Sequence, residues 1–336
     1  MEESKRKYLS EFAISLFSAR WMMIPAHQLS SDGEFKKAEL EVALASHIYL
    51  ICKTPAISFS RDLFKYENGI LSGSIKYSLE GEIREKLFSF EFPLLDGAET
   101  VQLSSFPFRE IHTLDSQGNI VRKLPANLVS MGLGWHLQNK ELSDFEVLYI
   151  GQAYGDGKRT AFERLKSHST LQKILAQINY DSPEYEIQLL TFEYSPYRII
   201  YQMDGRAKNA ISDYRDLDRF RSITVNHLTE HQQICLVEAG LIRYFQPQYN
   251  VIYKDNFPNG KHKILEACYD LDFSGLIIEI NTEDLGFSLW SSGINARDHH
   301  IAKIDLVDPN IRWGFFHIFN DDGSALSMPN VIAKST

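Results

Sequence analysis

Cysteine is scarce in this chain, and long apolar runs are missing. Three cysteines occur among 336 residues, at positions 52, 235 and 268, and none has CxxC spacing. A disulfide framework and a structural zinc site are therefore not expected, and a reducing cytoplasm is the expected compartment. No segment approaches the roughly 20 apolar residues that span a bilayer, and the N-terminus lacks a signal-peptide core. We therefore expect a cytoplasmic protein without a membrane partner.

Excess positive charge is also missing, since the net charge is −9. An acidic chain is not suited to coating nucleic acid by charge alone. One stretch differs, because residues 158–173 hold five basic residues against the single acid Glu163. These basic residues are Lys158, Arg159, Arg164, Lys166 and Lys173. The patch is either a solvated helix face or positive charge gathered near an acidic metal site.

The pattern of apolar residues divides the chain into three predicted domains. Residues 1–20 carry apolar side chains at helical spacing, which predicts an amphipathic helix. Most of the remaining stretch up to residue 130 reads as strands and turns, so 1–130 is predicted to be a strand-rich domain, with target recognition as one possible role. We expect a second domain at 131–254 and a β-rich domain at 255–336.

A tyrosine, an arginine and a histidine occur in an order that suits phosphodiester hydrolysis. A short apolar strand ends in the tripeptide YIG at 149–151, where Gly151 lets the backbone bend and approach a phosphate. Tyr149 supplies a phenol that can take a proton from water. A helix is predicted to follow and to run to about residue 178, so Arg164 and His168 would share one of its faces. Such a pair can hold a phosphate or assist proton transfer.

A carboxylate stands in an otherwise apolar helix predicted at 225–245. Glu238 is costly to bury there unless it is paired or bound to a metal ion. One carboxylate with water ligands suits Mg²⁺ or Mn²⁺, whereas the alternative is an ion pair with Arg243 or another basic residue. His231 lies about two turns earlier on the same helix. Asn250 follows in the segment FQPQYN, where a turn asparagine is the simpler interpretation.

Taken together, the order of these elements resembles the GIY-YIG nuclease family over about residues 131–252. The resemblance implies an α+β fold: a small α/β catalytic domain, with a short central antiparallel sheet flanked by helices, between β-rich N-terminal and C-terminal domains. It implies a metal-dependent endonuclease with DNA as the expected substrate and one Mg²⁺ or Mn²⁺ ion. Restriction or phage defence is the expected role by analogy. A homodimer is also expected, because one such site cuts one strand.

The resemblance assigns ten site residues in two groups. The catalytic group is Tyr149, Arg164, His168, Glu238 and Asn250, with Glu238 as the metal ligand. The substrate-binding group is Gly151, Gln152, Arg159, Lys166 and His231.

The sequence departs from the family pattern in its first tripeptide. A G-I-Y-type sequence is not found about ten residues before YIG, where SMGLGWHLQ stands instead. The general base is therefore left open between Tyr149, His136 and Tyr154. The excess length between His168 and Glu238 is assigned to an insertion at about 195–223. An alternative function is a catalytically degenerate binding module for nucleic acid or protein, and a third is a protein-interaction module.

Overall fold

The computed structural model describes residues 5–30, 37–132, 140–154 and 161–334. The helices are α1 (Lys37–Ala45), α2 (Ala126–Ser130), α3 (Lys140–Ser143), α4 (Ala161–Lys166), α5 (Ser169–Asp181), α6 (Tyr214–Val225), α7 (Glu230–Phe245) and α8 (Glu266–Asp270). Short 3-10 turns lie at Ala26–Ser30, Lys263–Leu265 and Glu283–Leu285. Among these helices, none is both long and apolar enough to cross a membrane.

Strands make up most of the regular structure. They are β1 (Ser10–Pro25), β2 (Ile48–Pro55), β3 (Ser58–Phe59), β4 (Lys65–Glu67), β5 (Ile70–Leu79), β6 (Glu82–Glu91), β7 (Thr100–Leu103), β8 (Glu110–Leu114), β9 (Ile120–Pro125), β10 (Asp144–Gln152), β11 (Tyr185–Tyr194), β12 (Arg198–Met203), β13 (Gly275–Asn281), β14 (Ser288–Ser291), β15 (Ile294–Arg297), β16 (His299–Asp305), β17 (His317–Phe319), β18 (Ala325–Ser327) and β19 (Val331–Ile332).

One large mixed sheet organises the molecule. Its strand order is β15-β14-β10-β2-β11-β1-β13-β16-β19, and β12 adds a tenth strand beside β1. The strand β2 pairs antiparallel with both β10 and β11. The strand β1 pairs with β12 and β13 through its first half and with β11 through its second half. The β2–β10 pair therefore sits within a continuous sheet.

The helix predicted for residues 1–20 is wrong, because this segment contains most of the 16-residue strand β1. The first seven residues of β1 are all buried. Phe12 and Ile14 pack into the main core, while Ala13 faces Phe315 and Phe316 on the opposite side of the sheet. A strand covered on both faces carries apolar residues without alternation, so its sequence imitates helical spacing.

The predicted fold class is also wrong. A small α/β domain with its own short sheet, placed between β-rich domains, is not what the structure has. Strands from the first, middle and last thirds of the chain join one sheet instead. A short sheet leaves backbone N–H and C=O groups without hydrogen-bond partners along its edge strands. Here strands that are distant in the sequence pair with those edges. The boundaries at 130/131 and 254/255 stay predictions.

A β-rich insertion separates the strands β2 and β10. It contains a four-stranded sheet formed by β3, β4, β5 and β6 and a three-stranded sheet formed by β7, β8 and β9. Buried Phe59, Leu71, Ile75, Phe88 and Leu124 belong to its own core. The insertion is therefore a compact unit whose two ends join neighbouring strands of the large sheet.

The long helix α7 packs against the large sheet and positions Glu238. Its first turn is closed by a capping box, in which Thr229 and Gln232 each bond the other's backbone. A Cβ atom at Gly240 would overlap the side chain of Ile278 on β13. The glycine therefore lets α7 approach the sheet closely, and this brings the helix alongside β10.

Candidate active site

Tyr49 on β2 lies directly opposite Gly151 on β10. The ring of Tyr49 is 1% exposed and covers the glycine. A Cβ atom at position 151 would lie 2.5 Å from both Cζ and Oη of Tyr49, and 2.9 Å from Cε1 of Tyr149. Only glycine leaves room for both aromatic rings at this crossing. The role of Gly151 is therefore to admit the Tyr49 ring.

His168 is the N-cap residue of α5, so the single helix predicted across residues 160–178 is wrong. The chain leaves α4 after Lys166, and a new helix begins at Ser169. The Nδ1 atom of His168 accepts a hydrogen bond from the Leu171 backbone N–H at 3.1 Å. Capping by a side-chain acceptor satisfies one of the unpaired donors at the helix start.

The capping bond fixes which nitrogen of His168 carries the proton. A neutral imidazole has one donor and one acceptor nitrogen, so an accepting Nδ1 leaves the hydrogen on Nε2. That Nε2 atom lies 3.1 Å from the Tyr49 hydroxyl oxygen. Burial and the charge of Arg164 lower the His168 pKa to about 4. His168 is therefore neutral at pH 7 and donates to Tyr49, and both of its ring nitrogens are engaged.

Tyr149 is the more accessible of the two tyrosines. Its ring is partly buried and lies with its centroid 6.2 Å from that of Tyr49 and 5.1 Å from that of His168. Burial raises its pKa first, and the charge of Glu238 raises it further. A hydrogen bond from Tyr49 and the charge of Arg164 oppose this rise. The hydrogen bonds thus run from His168 through Tyr49 to Tyr149, which is partly exposed.

Arg164 in α4 stands beside this chain of polar groups. Its side chain is partly buried. It hydrogen-bonds the Tyr49 phenol, and its charge also acts on Tyr149 and Glu238. The break between α4 and α5 therefore does not separate Arg164 from His168, although the two do not share a helix as predicted.

Glu238 projects from α7 toward the same region. Burial raises its pKa to about 7, while hydrogen bonds from the side chain and backbone of Gln152 and the charge of Arg164 lower it in part. Within the described residues, no ion pair of Glu238 lies within 4 Å. The alternative partner Arg243 donates instead to the Lys254 carbonyl at 2.9 Å. Glu238 is thus a partly buried carboxylate that the Gln152 amide supports, and among the described residues it forms no ion pair, although the charge of Arg164 acts on it.

We predict that the raised pKa of Glu238 makes stability depend on pH. A carboxyl that binds its proton more tightly when folded stabilises the protein below its unfolded pKa, which is 4.5, and loses that contribution as the pH rises through about 7. The unfolding free energy of the wild type, relative to Glu238→Gln, should fall by on the order of 3 kcal/mol over that window. Denaturant titrations of both proteins from pH 4 to pH 8.5 measure this difference. Parallel curves would refute it.

Asn250 binds the backbone of the tyrosine-bearing strand. Its Oδ1 atom accepts from the Ile150 N–H at 2.9 Å, and its Nδ2 atom donates to the Ile150 carbonyl at 2.8 Å. The neighbouring Tyr249 N–H donates to the Leu148 carbonyl at 3.0 Å. The segment after α7 thereby continues the pairing along β10 and holds Tyr149 and Gly151 in register. Asn250 is buried and acts through the strand.

We predict that Asn250→Ala destabilises the protein by about 2–3 kcal/mol, because it leaves a buried N–H and a buried carbonyl of Ile150 without partners. Differential scanning calorimetry measures the loss. Asn226→Ala is the matched control, since the Asn226 amide bonds the end of an exposed helix. Equal transition temperatures for both variants would contradict a special role for Asn250.

The remaining predicted residues lie at the rim of the site or outside the described residues. His231 is exposed, with its ring centroid 5.3 Å from that of Tyr154. Lys166 is exposed at the end of α4. The ring of Tyr154 lies 5.2 Å from that of His47, away from the Tyr49–His168 bond. Arg159 and His136 fall outside the described residues.

Tyr49 is the site residue that sequence reasoning does not find. It precedes Tyr149 by one hundred positions (149 minus 49) because the β-rich insertion stands between their strands. The sequence feature that could indicate Tyr49 is the tripeptide His47-Ile48-Tyr49, which directly precedes the segment LICK at residues 50–53. A search confined to the ten or so residues before Tyr149 does not reach it.

Three comparisons with known proteins give no match, whether against family models, curated proteins or solved structures. Likewise, the described residues contain no group of three or more His, Cys, Asp or Glu side chains that could hold a metal ion.

Proposed function

We propose that this protein is a metal-dependent endonuclease that hydrolyses phosphodiester bonds in DNA. The observation that carries the proposal is the convergence of Tyr49, Tyr149, Arg164, His168 and Glu238. These residues come from three separate parts of the chain, and their phenol, guanidinium, imidazole and carboxylate groups act on one another's pKa values. Clusters of perturbed titratable groups mark functional sites more often than structural ones.

The pairing of β2 with β10 places a second tripeptide beside YIG, and this tripeptide adds to the resemblance to the GIY-YIG family. His47-Ile48-Tyr49 stands where the family has its G-I-Y sequence, and histidine takes the place of glycine. The strands that carry both tripeptides are antiparallel neighbours. This pairing supports the family assignment as a proposal about the site alone, since the surrounding sheet is not a small separate domain.

In the proposed mechanism, Tyr149 first releases its phenol proton to solvent, and the resulting phenolate then takes a proton from the attacking water. Tyr49 is unsuited to that role because its ring is buried and its oxygen already accepts from His168. His168 instead orients Tyr49, whose hydroxyl donates to Tyr149 and stabilises a negative charge there. His168 therefore acts through Tyr49 and does not contact the phosphate.

Arg164 and Glu238 meet the electrostatic demands of the reaction. Arg164 is partly exposed and can hold the phosphoryl oxygens while its charge favours the ionised form of Tyr149. Glu238, oriented by Gln152, fits one hard divalent cation, because a half-buried carboxylate with a raised pKa gains from such a charge. When bound, Mg²⁺ or Mn²⁺ would supply Lewis-acid stabilisation of the leaving oxygen.

A catalytically degenerate binding module is the second candidate. Two observations favour it: burial raises the pKa of both Tyr49 and Tyr149, and the net charge is −9. The raised pKa values and the negative net charge both disfavour a tyrosine phenolate in the protein when no divalent cation is bound. A divalent ion reverses the first effect, so cleavage assays with and without metal distinguish the two candidates.

The test is incubation of supercoiled plasmid, linear DNA and RNA with the protein in Mg²⁺ or Mn²⁺. We predict metal-dependent cleavage of DNA that falls by about a hundredfold or more in Tyr149→Phe. Tyr154→Phe is the matched control and should keep its activity, because Tyr154 lies at the rim beside His231. Nicked product would indicate one site acting alone, whereas linear product would indicate two cooperating copies. Equal cleavage by both variants would overturn the assignment of the base.

A further inference from the structure

The segment at residues 251–263 follows Asn250 directly and is firmly held. The Lys254 carbonyl accepts from Arg243 Nη1 at 2.9 Å and from Gln246 Nε2 at 3.3 Å. Tyr253 adopts a left-handed backbone conformation with φ of 68°, which turns the chain sharply. With Asn250 bonded to β10 at one end and these contacts within it, the segment has a fixed position.

This segment also borders the candidate site. Burial raises the pKa of the Tyr253 phenol, and the charge of Glu238 raises it further. The Tyr253 ring lies 5.3 Å from the His262 ring and 5.8 Å from the Phe257 ring, measured between centroids. The chain therefore folds back on itself, so that residues 253 and 262 lie together, and the hydrogen bonds to Lys254 hold the segment against the C-terminal end of α7, the helix that carries Glu238.

Two adjacent apolar side chains project from the start of the segment. Val251 is 87% exposed and Ile252 is 69% exposed. Both directly follow Asn250, whose amide is fixed to Ile150. Exposed β-branched residues on a rigid backbone present apolar area with little loss of side-chain freedom on contact.

The same segment concentrates positive charge. Residues 251–263 hold three lysines and one aspartate, a net charge of +2 (3 minus 1) in a chain whose net charge is −9. Within the described part of the chain, Lys254, Lys261 and Lys263 make no ion pair within 4 Å. Lysines left unpaired beside a carboxylate-bearing site are available to phosphate groups.

We propose that residues 251–263 form a duplex-binding wall in which Val251 and Ile252 enter between neighbouring bases while the lysines hold the flanking phosphates. The inference rests on the proposed nuclease function and names how that site grips its substrate. Apolar side chains inserted between base steps unstack and bend a duplex. Here the bend would bring the scissile phosphate toward Glu238 and Tyr149, because the wall and β10 are joined through Asn250.

The first experiment uses a 30-base-pair DNA duplex of mixed sequence that carries 2-aminopurine at several positions, in EDTA so that no metal-dependent cleavage occurs. Wild-type protein should raise the 2-aminopurine fluorescence, which reports unstacking. V251S/I252S should lose this rise and bind roughly tenfold more weakly. I311S/L326S, which changes two exposed apolar residues in another part of the molecule, should behave as the wild type.

The second experiment measures binding of the same duplex as the salt concentration changes. The slope of log K against log salt should fall by about 2 in K261A/K263A, near one for each lost phosphate contact. K5A/K208A also removes two exposed lysines and should leave the slope unchanged. An unchanged slope in K261A/K263A would overturn the role of the lysines.

The outcomes separate this inference from the proposed function. If wild-type protein cuts DNA but V251S/I252S gives the same fluorescence rise, the wall is wrong and the nuclease stands. If V251S/I252S instead changes only the oligomeric state in size-exclusion chromatography, the apolar pair contacts protein and the wall is again wrong. If wild-type protein neither cuts nor binds any duplex, the proposed function fails and the inference fails with it.

Discussion

Glu238→Gln is expected to lower the rate of metal-dependent cleavage by about a thousandfold or more. The substitution keeps the size of the side chain, but it replaces one acceptor oxygen with an amide donor and removes the negative charge that would hold a divalent cation. Loss of Lewis-acid stabilisation corresponds to several kcal/mol of transition-state energy, and each ~1.4 kcal/mol is a factor of ten. Single-turnover cleavage of plasmid in Mg²⁺ measures the loss.

A second readout for Glu238 does not depend on activity. Mg²⁺ should raise the melting temperature of the wild type at pH 8 and leave that of Glu238→Gln unchanged, because only the wild type gains a bound ion. Glu266→Gln, the same chemical change on the exposed start of α8, is the control for both assays. Full activity of Glu238→Gln, or an equal thermal shift in both proteins, would show that the metal lies elsewhere.

Gly151→Ala is expected to lower the cleavage rate and the stability, because it displaces the Tyr49 side chain. The added methyl group overlaps the ring of Tyr49 at 2.5 Å and approaches Tyr149 at 2.9 Å. Because a ring atom cannot yield as a flexible side-chain end can, Tyr49 must move and lose its bond to His168. We expect a cleavage rate about a hundredfold lower or worse and an unfolding free energy reduced by about 1–3 kcal/mol.

Two further variants separate the structural effect of Gly151→Ala from its chemical effect. Gly205→Ala adds a methyl group where nothing lies within 4 Å, so stability and activity should both be retained. In the double variant Gly151→Ala with Tyr49→Leu, the smaller side chain relieves the overlap, so stability should recover while activity stays low. Wild-type activity in Gly151→Ala would mean that the position of Tyr49 does not matter for catalysis.

Local sequence was sufficient to indicate part of the site. Tyr149 ends an apolar strand at a glycine, and Glu238 is the single acid within a buried helical stretch, so each stands out within a window of about ten residues. Asn250 is assigned only through the family resemblance, because a turn asparagine is the simpler local interpretation, and its hydrogen bonds to Ile150 become evident only in the structure. The nuclease activity itself stays a prediction.

The sequence does not reveal which strands pair when they are far apart along the chain. Tyr49 belongs beside Tyr149 only because β2 and β10 are neighbours across the insertion, and no short spacing records that fact. The strand β1 was misread as a helix because both of its faces are covered. The ten-stranded sheet was missed for a related reason, since edge strands from distant segments complete it and hydrogen bonds between strands leave no mark on apolar periodicity.

The place at which the insertion joins the sheet makes it an exchangeable cassette. It leaves after Pro55 and returns at Asp144, at the far ends of two antiparallel strands that are still paired at Lys53 and Glu146. A tight turn could close that gap without shifting Tyr49 relative to Tyr149. A different insertion could therefore be placed there while the pairing of Tyr49 with Gly151 at the other end of the hairpin stays as it is.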